Sequence, residues 1–175
     1  MSAARTKRPT MKRPAMNLPP HLARTSAAVA ATALIGGLGT NVTSPWYRQL
    51  DKPAWQPPGA VFGPAWTTLY ALMALASART LGRMEKPEES RGFALAFGTN
   101  LVLNAGWNWV FFRARRPRWA LAEILLLEAS TVDLTRRAAR ADSASAKMLM
   151  PYAVWVAFAT ALNAAIAHRN PEGRS

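Results

Sequence analysis

Apolar residues along the chain gather into five blocks, at about residues 22–42, 59–81, 92–112, 119–135 and 147–168, separated by Pro, Gly and charged residues. No block alternates apolar with polar at every second position, which excludes a transmembrane β-barrel. Most reach the roughly 20 residues that a helix, rising about 1.5 Å per residue, needs to cross about 30 Å of hydrocarbon. The pattern predicts an all-α membrane protein, a five-transmembrane-helix bundle over residues 22–169. A basic, Pro-rich, disordered tail precedes it at 1–21, and a polar tail follows at 170–175. Because the first block follows a positively charged stretch, a cleavable leader is an open alternative that would leave four spans. The segment 85–91, interrupted by Pro87, reads as a loop between the second and third spans.

Composition taken alone suggests a soluble protein, since the mean hydropathy is only -0.02. That mean averages a polar tail and basic loops with Ala-rich spans. The net charge of +13 raises nucleic-acid binding, but the Lys and Arg lie between apolar blocks, as in loops flanking membrane helices. No nucleic-acid partner is therefore expected. Basic residues are more numerous in the N-terminal tail and the segments 79–91 and 136–147 than in the intervening connections. This bias predicts a cytoplasmic N-terminus and favours the cytoplasmic membrane of a bacterium. The chain has no Cys, so disulfides and thiolate metal sites are excluded. With His21 in the tail and His168 at the end of the last span, no metal site is expected, and an axial haem ligand would have to come from Met73, Met148 or Met150.

Candidate chemistry concentrates between Trp46 and Tyr70, WYRQLDKPAWQPPGAVFGPAWTTLY, where Trp46, Trp55 and Trp66 stand among Pro53, Pro57, Pro58 and Pro64. Each indole offers a large apolar face with one polar tip, suited to a bilayer interface or to a flat aromatic ligand. The prolines make the loop stiff. On the following helix Phe62, Trp66, Tyr70 and Met73 share a face. Such a stripe serves core packing or a ligand box, and Trp155, behind Pro151 on another span, favours the box. Asn100, Asn104 and Asn108 form an i, i+4, i+8 row that must face protein or a wet cavity. The row either bonds neighbouring helices, or offers Asn104 or Asn100 to ligand carboxylates, or does both.

Glu123, Glu128 and Asp133 interrupt the fourth span. Steps of five residues rotate about 500° on a helix, so the three share no face and form no relay. One reading places Asp133 beside Arg136 and Arg137 at the polar boundary, with Glu123 and Glu128 either paired internally or titrating as neutral acids. The other makes the chain a small proton-coupled exporter of lipophilic compounds that uses Glu123 and Glu128. Ala153, Ala157, Ala161 and Ala165 form a small-residue stripe, assigned to packing within the protomer.

Trp46-Tyr47, Leu50, Lys52-Pro53, Trp55, Pro57-Pro58, Phe62, Ala65-Trp66 and Leu69-Tyr70 together resemble the signature of the tryptophan-rich sensory protein, or translocator protein, family. Leu103-Asn104, Trp107 and Val110-Phe111-Phe112 resemble its third helix, and Pro151-Tyr152, Trp155, Ala159 and Leu162-Asn163 its fifth, so the resemblance covers about residues 25–168. It implies a five-helix membrane protein, commonly a homodimer, whose partners are membrane lipid and porphyrins such as protoporphyrin IX and haem-like tetrapyrroles. No obligatory cofactor is implied. The ligand would sit in a Trp-lined cavity under the first loop, flanked by Trp66 and Trp155, with Tyr47, Trp55, Phe62, Asn104 and Tyr152 nearby. Ala94 and Gly98 would form a dimer seam. A sterol ligand is not expected, because Leu162-Asn163 is followed by Ala164 where the family's sterol pattern has Tyr. Enzymatic status stays open: groups for hydrolysis are absent, and photo-oxidative breakdown of a porphyrin would draw on light, oxygen, Trp66 and Trp155.

Overall fold

The computed structural model describes residues 18–171. Most of the expected N-terminal tail, and residues 172–175, lie outside the described residues. The described chain is helical without strands: α1 is Leu18–Gly39, α2 Pro45–Gln49, α3 Gly59–Leu81, α4 Pro87–Asn108, α5 Pro117–Ala141 and α6 Ser143–Arg169. At its C-terminal end α4 widens into a π-helical turn, Trp109–Arg113. Three helices, α1 from Pro20, α3 and α6, are long and apolar enough to cross a membrane.

The helix ends differ from the sequence expectation for a consistent reason. Pro45, Pro87 and Pro117 each sit in the first turn of a helix, where a missing N–H costs nothing and a fixed φ is already suitable. Pro87 therefore opens α4 and does not mark a loop through residue 91. Likewise α1 begins at Leu18, inside the segment expected to be tail, and stops at Gly39. Between α5 and α6 the expected loop shrinks to Asp142. Its carboxylate accepts hydrogen bonds from Ser145 Oγ at 2.7 Å and from Arg79 of α3 at 3.1 and 3.2 Å. The Ser145 bond and then the Arg79 guanidinium hold the Asp142 carboxyl below its ordinary range, against the opposing effect of burial.

The five long helices close into a ring in which α3 packs on α1, α1 on α4, α4 on α5, α5 on α6 and α6 back on α3. Thr25 Oγ1 donates to Ala74 O at 2.9 Å across the α1–α3 seam. On the α1–α4 seam a Cβ at Gly39 would lie 2.9 Å from the Trp109 ring. Glycine there lets the Trp109 indole donate to Ile35 O at 3.0 Å. α1 is thus part of the ring wall. Met73, Phe93, Leu134, Leu149 and Tyr152 fill the centre of the ring. The Ala stripe on α6 does not join them. Ala157 and Ala161 are exposed, because α6 turns Leu149, Tyr152, Val156 and Asn163 inward.

Candidate ligand cavity

At one end of the ring, α2 and the loop 50–58 lie over a cavity of about 570 Å³, within the about 300–1,000 Å³ typical of small-molecule sites. The wall is built from separate helices: Phe62 and Trp66 of α3, Trp107 with Phe111 and Phe112 at the end of α4, Ile124 and Leu127 of α5, and Trp155 of α6. From the lid come Tyr47, Lys52 and Gln56.

The aromatic stripe on α3 divides by depth. Phe62 and Trp66, one turn apart, line the cavity. Tyr70 lies lower and donates to Asn104 Oδ1 at 2.6 Å, while Met73 is fully buried in the core. The Trp66 and Trp155 ring centroids are 6.2 Å apart with planes at 83°, and Phe62 meets Trp155 at 5.8 Å. The two indoles touch edge to face, so no ligand fits between them here. This corrects the expectation of a sandwich: Trp66 and Trp155 form one continuous wall. Such edge-to-face pairs each contribute roughly 0.5–1.5 kcal/mol beyond area burial.

Tyr47, Phe62, Trp66, Trp155 and Asn104 are brought together around the cavity. Trp55 is 50% exposed and packs edge-on against Phe158 at 5.8 Å, outside the lining. Tyr152 is buried below the cavity, donating to Asn100 Oδ1 at 3.0 Å and accepting from Asn104 Nδ2 at 3.2 Å. The Asn row is thereby accounted for. Asn100 Nδ2 donates to Thr131 Oγ1 at 3.0 Å on α5, and Asn108 Oδ1 accepts from Thr40 Oγ1 at 2.9 Å beyond α1. Asn104 and Asn108 also reach the cavity wall, so bonding between helices and facing the cavity coexist.

Among the lining residues Lys52 is the one with a charged side chain. Its ammonium lies 4.6 Å over the Tyr47 ring and donates to Leu50 O at 3.3 Å. Burial raises the Tyr47 phenol above its ordinary range, a hydrogen bond with Gln56 acting the other way. The Gln56 amide oxygen is buried without a partner, an acceptor available to a donor in the cavity. Trp107 stacks on Phe111 at 5.0 Å and donates its indole N–H to Asn163 Oδ1 at 2.8 Å. Asn163 Nδ2 in turn donates to Pro117 O at 2.8 Å, which fixes the ring's orientation. Sequence reasoning did not assign Lys52, Gln56, Trp107, Phe111, Phe112 or Asn163 to the site. The aromatic cluster at 107–112 was the available signal.

Glu123 and Glu128 do not line the cavity. Of the two expectations for them, internal pairing is not met: both Glu123 carboxyl oxygens and Glu128 Oε2 are buried without a partner. Asp133 is paired with Arg137, one turn on, at 2.6 Å, as its place beside the Arg pair led one to expect. Among the described residues no cluster of His, Asp and Glu is arranged to hold a metal ion.

The family model described as the TspO/MBR family matches residues 25–169, from α1 to the end of α6. The chain belongs to the TspO/MBR family. It is 36% identical over 142 residues to a tryptophan-rich protein TspO of Chlorobaculum tepidum, covering 81% of this chain and 90% of the relative. To the human translocator protein it is 37% identical over 119 residues, 67% of this chain and 70% of the relative. To a tryptophan-rich sensory protein of Cereibacter sphaeroides it is 36% identical over 138 residues, 78% and 83% of the two chains. TspO/MBR proteins are membrane proteins, in keeping with the apolar helices of this chain.

Proposed function

We propose that the chain binds a flat hydrophobic tetrapyrrole, a porphyrin such as protoporphyrin IX, in the cavity under the first loop. The observation that carries this reading is the composition of the wall. Rings from α3, α4 and α6 surround the apolar volume, while Lys52, Gln56 and the Asn104–Asn108 pair supply polar groups at its margin. A macrocycle lies with one face or edge on the joined indoles of Trp66 and Trp155, and its carboxylates reach Lys52. All five long helices cross the bilayer in this reading. With the N-terminus cytoplasmic, as the charge bias favours, the lid faces the opposite side of the membrane.

The exporter reading rests on Glu123 and Glu128, and neither lines the cavity under the lid. Photo-oxidation of a bound porphyrin is compatible with the Trp wall and needs no further group from the protein. A homodimer through Ala94 and Gly98 is compatible with the open space beside Gly98, where an added Cβ meets nothing within 4 Å.

The test is an equilibrium titration of purified protein with protoporphyrin IX, read by quenching of Trp emission. Saturable one-site binding is expected, weakened about tenfold, or about 1.4 kcal/mol, by Trp66→Ala and by Trp155→Ala. Equal affinity in the folded variants contradicts the proposal.

A further inference from the structure

A second concavity lies on the outer surface of the ring, between α3 and α6, where Val61, Pro64, Ala65 and Thr68 face Pro151 and Trp155. Trp155 is the residue that this groove shares with the interior cavity. It therefore borders both the site and the outer groove. The groove is apolar. Its one side-chain hydroxyl, that of Thr68, is already used, donating to Pro64 O at 3.0 Å. α3 and α6 are also two of the three helices long and apolar enough to span a membrane, so hydrocarbon is the medium that reaches the groove.

Both helices are weakened along this seam. Pro64 and Pro151 lie inside them, and each removes an i to i−4 hydrogen bond and crowds the preceding turn. The lid is held in several places. Asp51 N–H donates to Asn170 Oδ1 at 3.0 Å, and Asn170 Nδ2 donates to Asp51 O at 2.9 Å. Trp46 is packed on Phe111 at 5.7 Å. Opening the cavity through the lid breaks the Asp51–Asn170 bonds and the Trp46 packing together, whereas opening it sideways turns one side chain, which gives up its ring contacts with Phe62, Trp66 and Phe158 but no hydrogen bond of its indole N–H among the described residues.

We propose that the ligand enters and leaves the cavity laterally, from the hydrocarbon of the bilayer, through the α3–α6 groove, with the Trp155 indole as the moving partition. This rests on the ligand-binding reading above and adds the route. The substrate class follows: a flat, bilayer-soluble molecule that partitions into lipid before it meets the protein.

The absence of Cys allows a clean experiment in lipid nanodiscs. A Thr68→Cys variant is compared before and after alkylation with a bulky maleimide, and binding and release of protoporphyrin IX are followed by stopped-flow Trp quenching. A blocked route slows entry and exit alike, so alkylation is expected to lower both rate constants about tenfold and leave Kd within about twofold. In a second variant, Asp51→Cys/Asn170→Cys joined by a short bismaleimide, the rates are expected to stay as they were. Unchanged rates after groove alkylation, a changed Kd with an unchanged release rate, or slowing on lid cross-linking alone overturns the lateral route. Failure of the unmodified protein to quench saturably overturns the binding reading itself, a distinct result.

Discussion

Single side chains separate what is cavity from what is core. Asn104 illustrates this, since it accepts from Tyr70, donates to Tyr152 and still touches the cavity wall. An Asn104→Leu change leaves the part-buried Tyr70 hydroxyl without its acceptor and Tyr152 with its bond to Asn100 alone, at about 1–3 kcal/mol for the unsatisfied group. Thermal denaturation is expected to show a clear drop in Tm together with weaker porphyrin binding. Glu123 presents the reverse case: its carboxyl oxygens are buried and unpartnered, so Glu123→Leu removes an uncompensated polar group. The variant is expected to gain about 1 kcal/mol in stability and to keep its porphyrin affinity; a loss of affinity would tie Glu123 to the site. At this scale the sequence identified Trp66, Trp155, Phe62, Tyr47 and Asn104 as neighbours of one space. Trp55 and Tyr152, expected beside them, lie outside the lining. Helical spacing fixes the face a residue occupies but not its depth, and depth is what sends Tyr152 to the Asn row and leaves Trp55 on the rim.

Elements are held by close approaches and by their termini. Gly39 carries the α1–α4 contact because the Trp109 ring occupies the place of its Cβ. Gly39→Ala is expected to cost about 1–3 kcal/mol through overpacking, whereas Gly98→Ala, with open space at the same point, is expected to be neutral or to stabilise by up to about 1 kcal/mol through helix propensity. Chemical or thermal unfolding of the two variants side by side checks the contrast. At the α5–α6 turn, Asp142 bonds Ser145 and Arg79, and its carboxyl titrates below its ordinary value near 3.8. A depressed folded-state pKa adds stability that is present above the unfolded value and is lost as pH falls through the folded one. Stability is thus expected to decline as pH falls below about 3.8, and an Asp142→Asn variant should lack that part of the decline in acid unfolding curves. The helical character of the apolar blocks was legible in the sequence. Their ends were not, because a proline breaks a helix from inside but starts one in its first turn, and Pro87 and Pro117 do the latter. The π turn at 109–113 had no signature in apolar spacing, although it presents Phe111 and Phe112 to the cavity.

For the whole molecule, the closed order of helices explains why aromatic residues distant in sequence share one wall: α3 and α6 are neighbours in the ring, and α4 completes it through α1 and α5. Closure of the ring also gives the cavity two boundaries, a pinned lid and a seam between α3 and α6 that contains Trp155. Sequence resemblance was specific enough to name the family, which the match over residues 25–169 establishes. It suggested two indoles on opposite sides of a ligand, whereas packing between α3 and α6 brings them into contact. The central claim is that the ring-walled space under the lid is where a porphyrin resides. The most direct test is a structure of the protein in nanodiscs with protoporphyrin IX bound. The account predicts macrocycle density inside the cavity, against the joined Trp66 and Trp155 indoles, with its carboxylates toward Lys52; density confined to the outer surface of the helices above an unfilled cavity would contradict it.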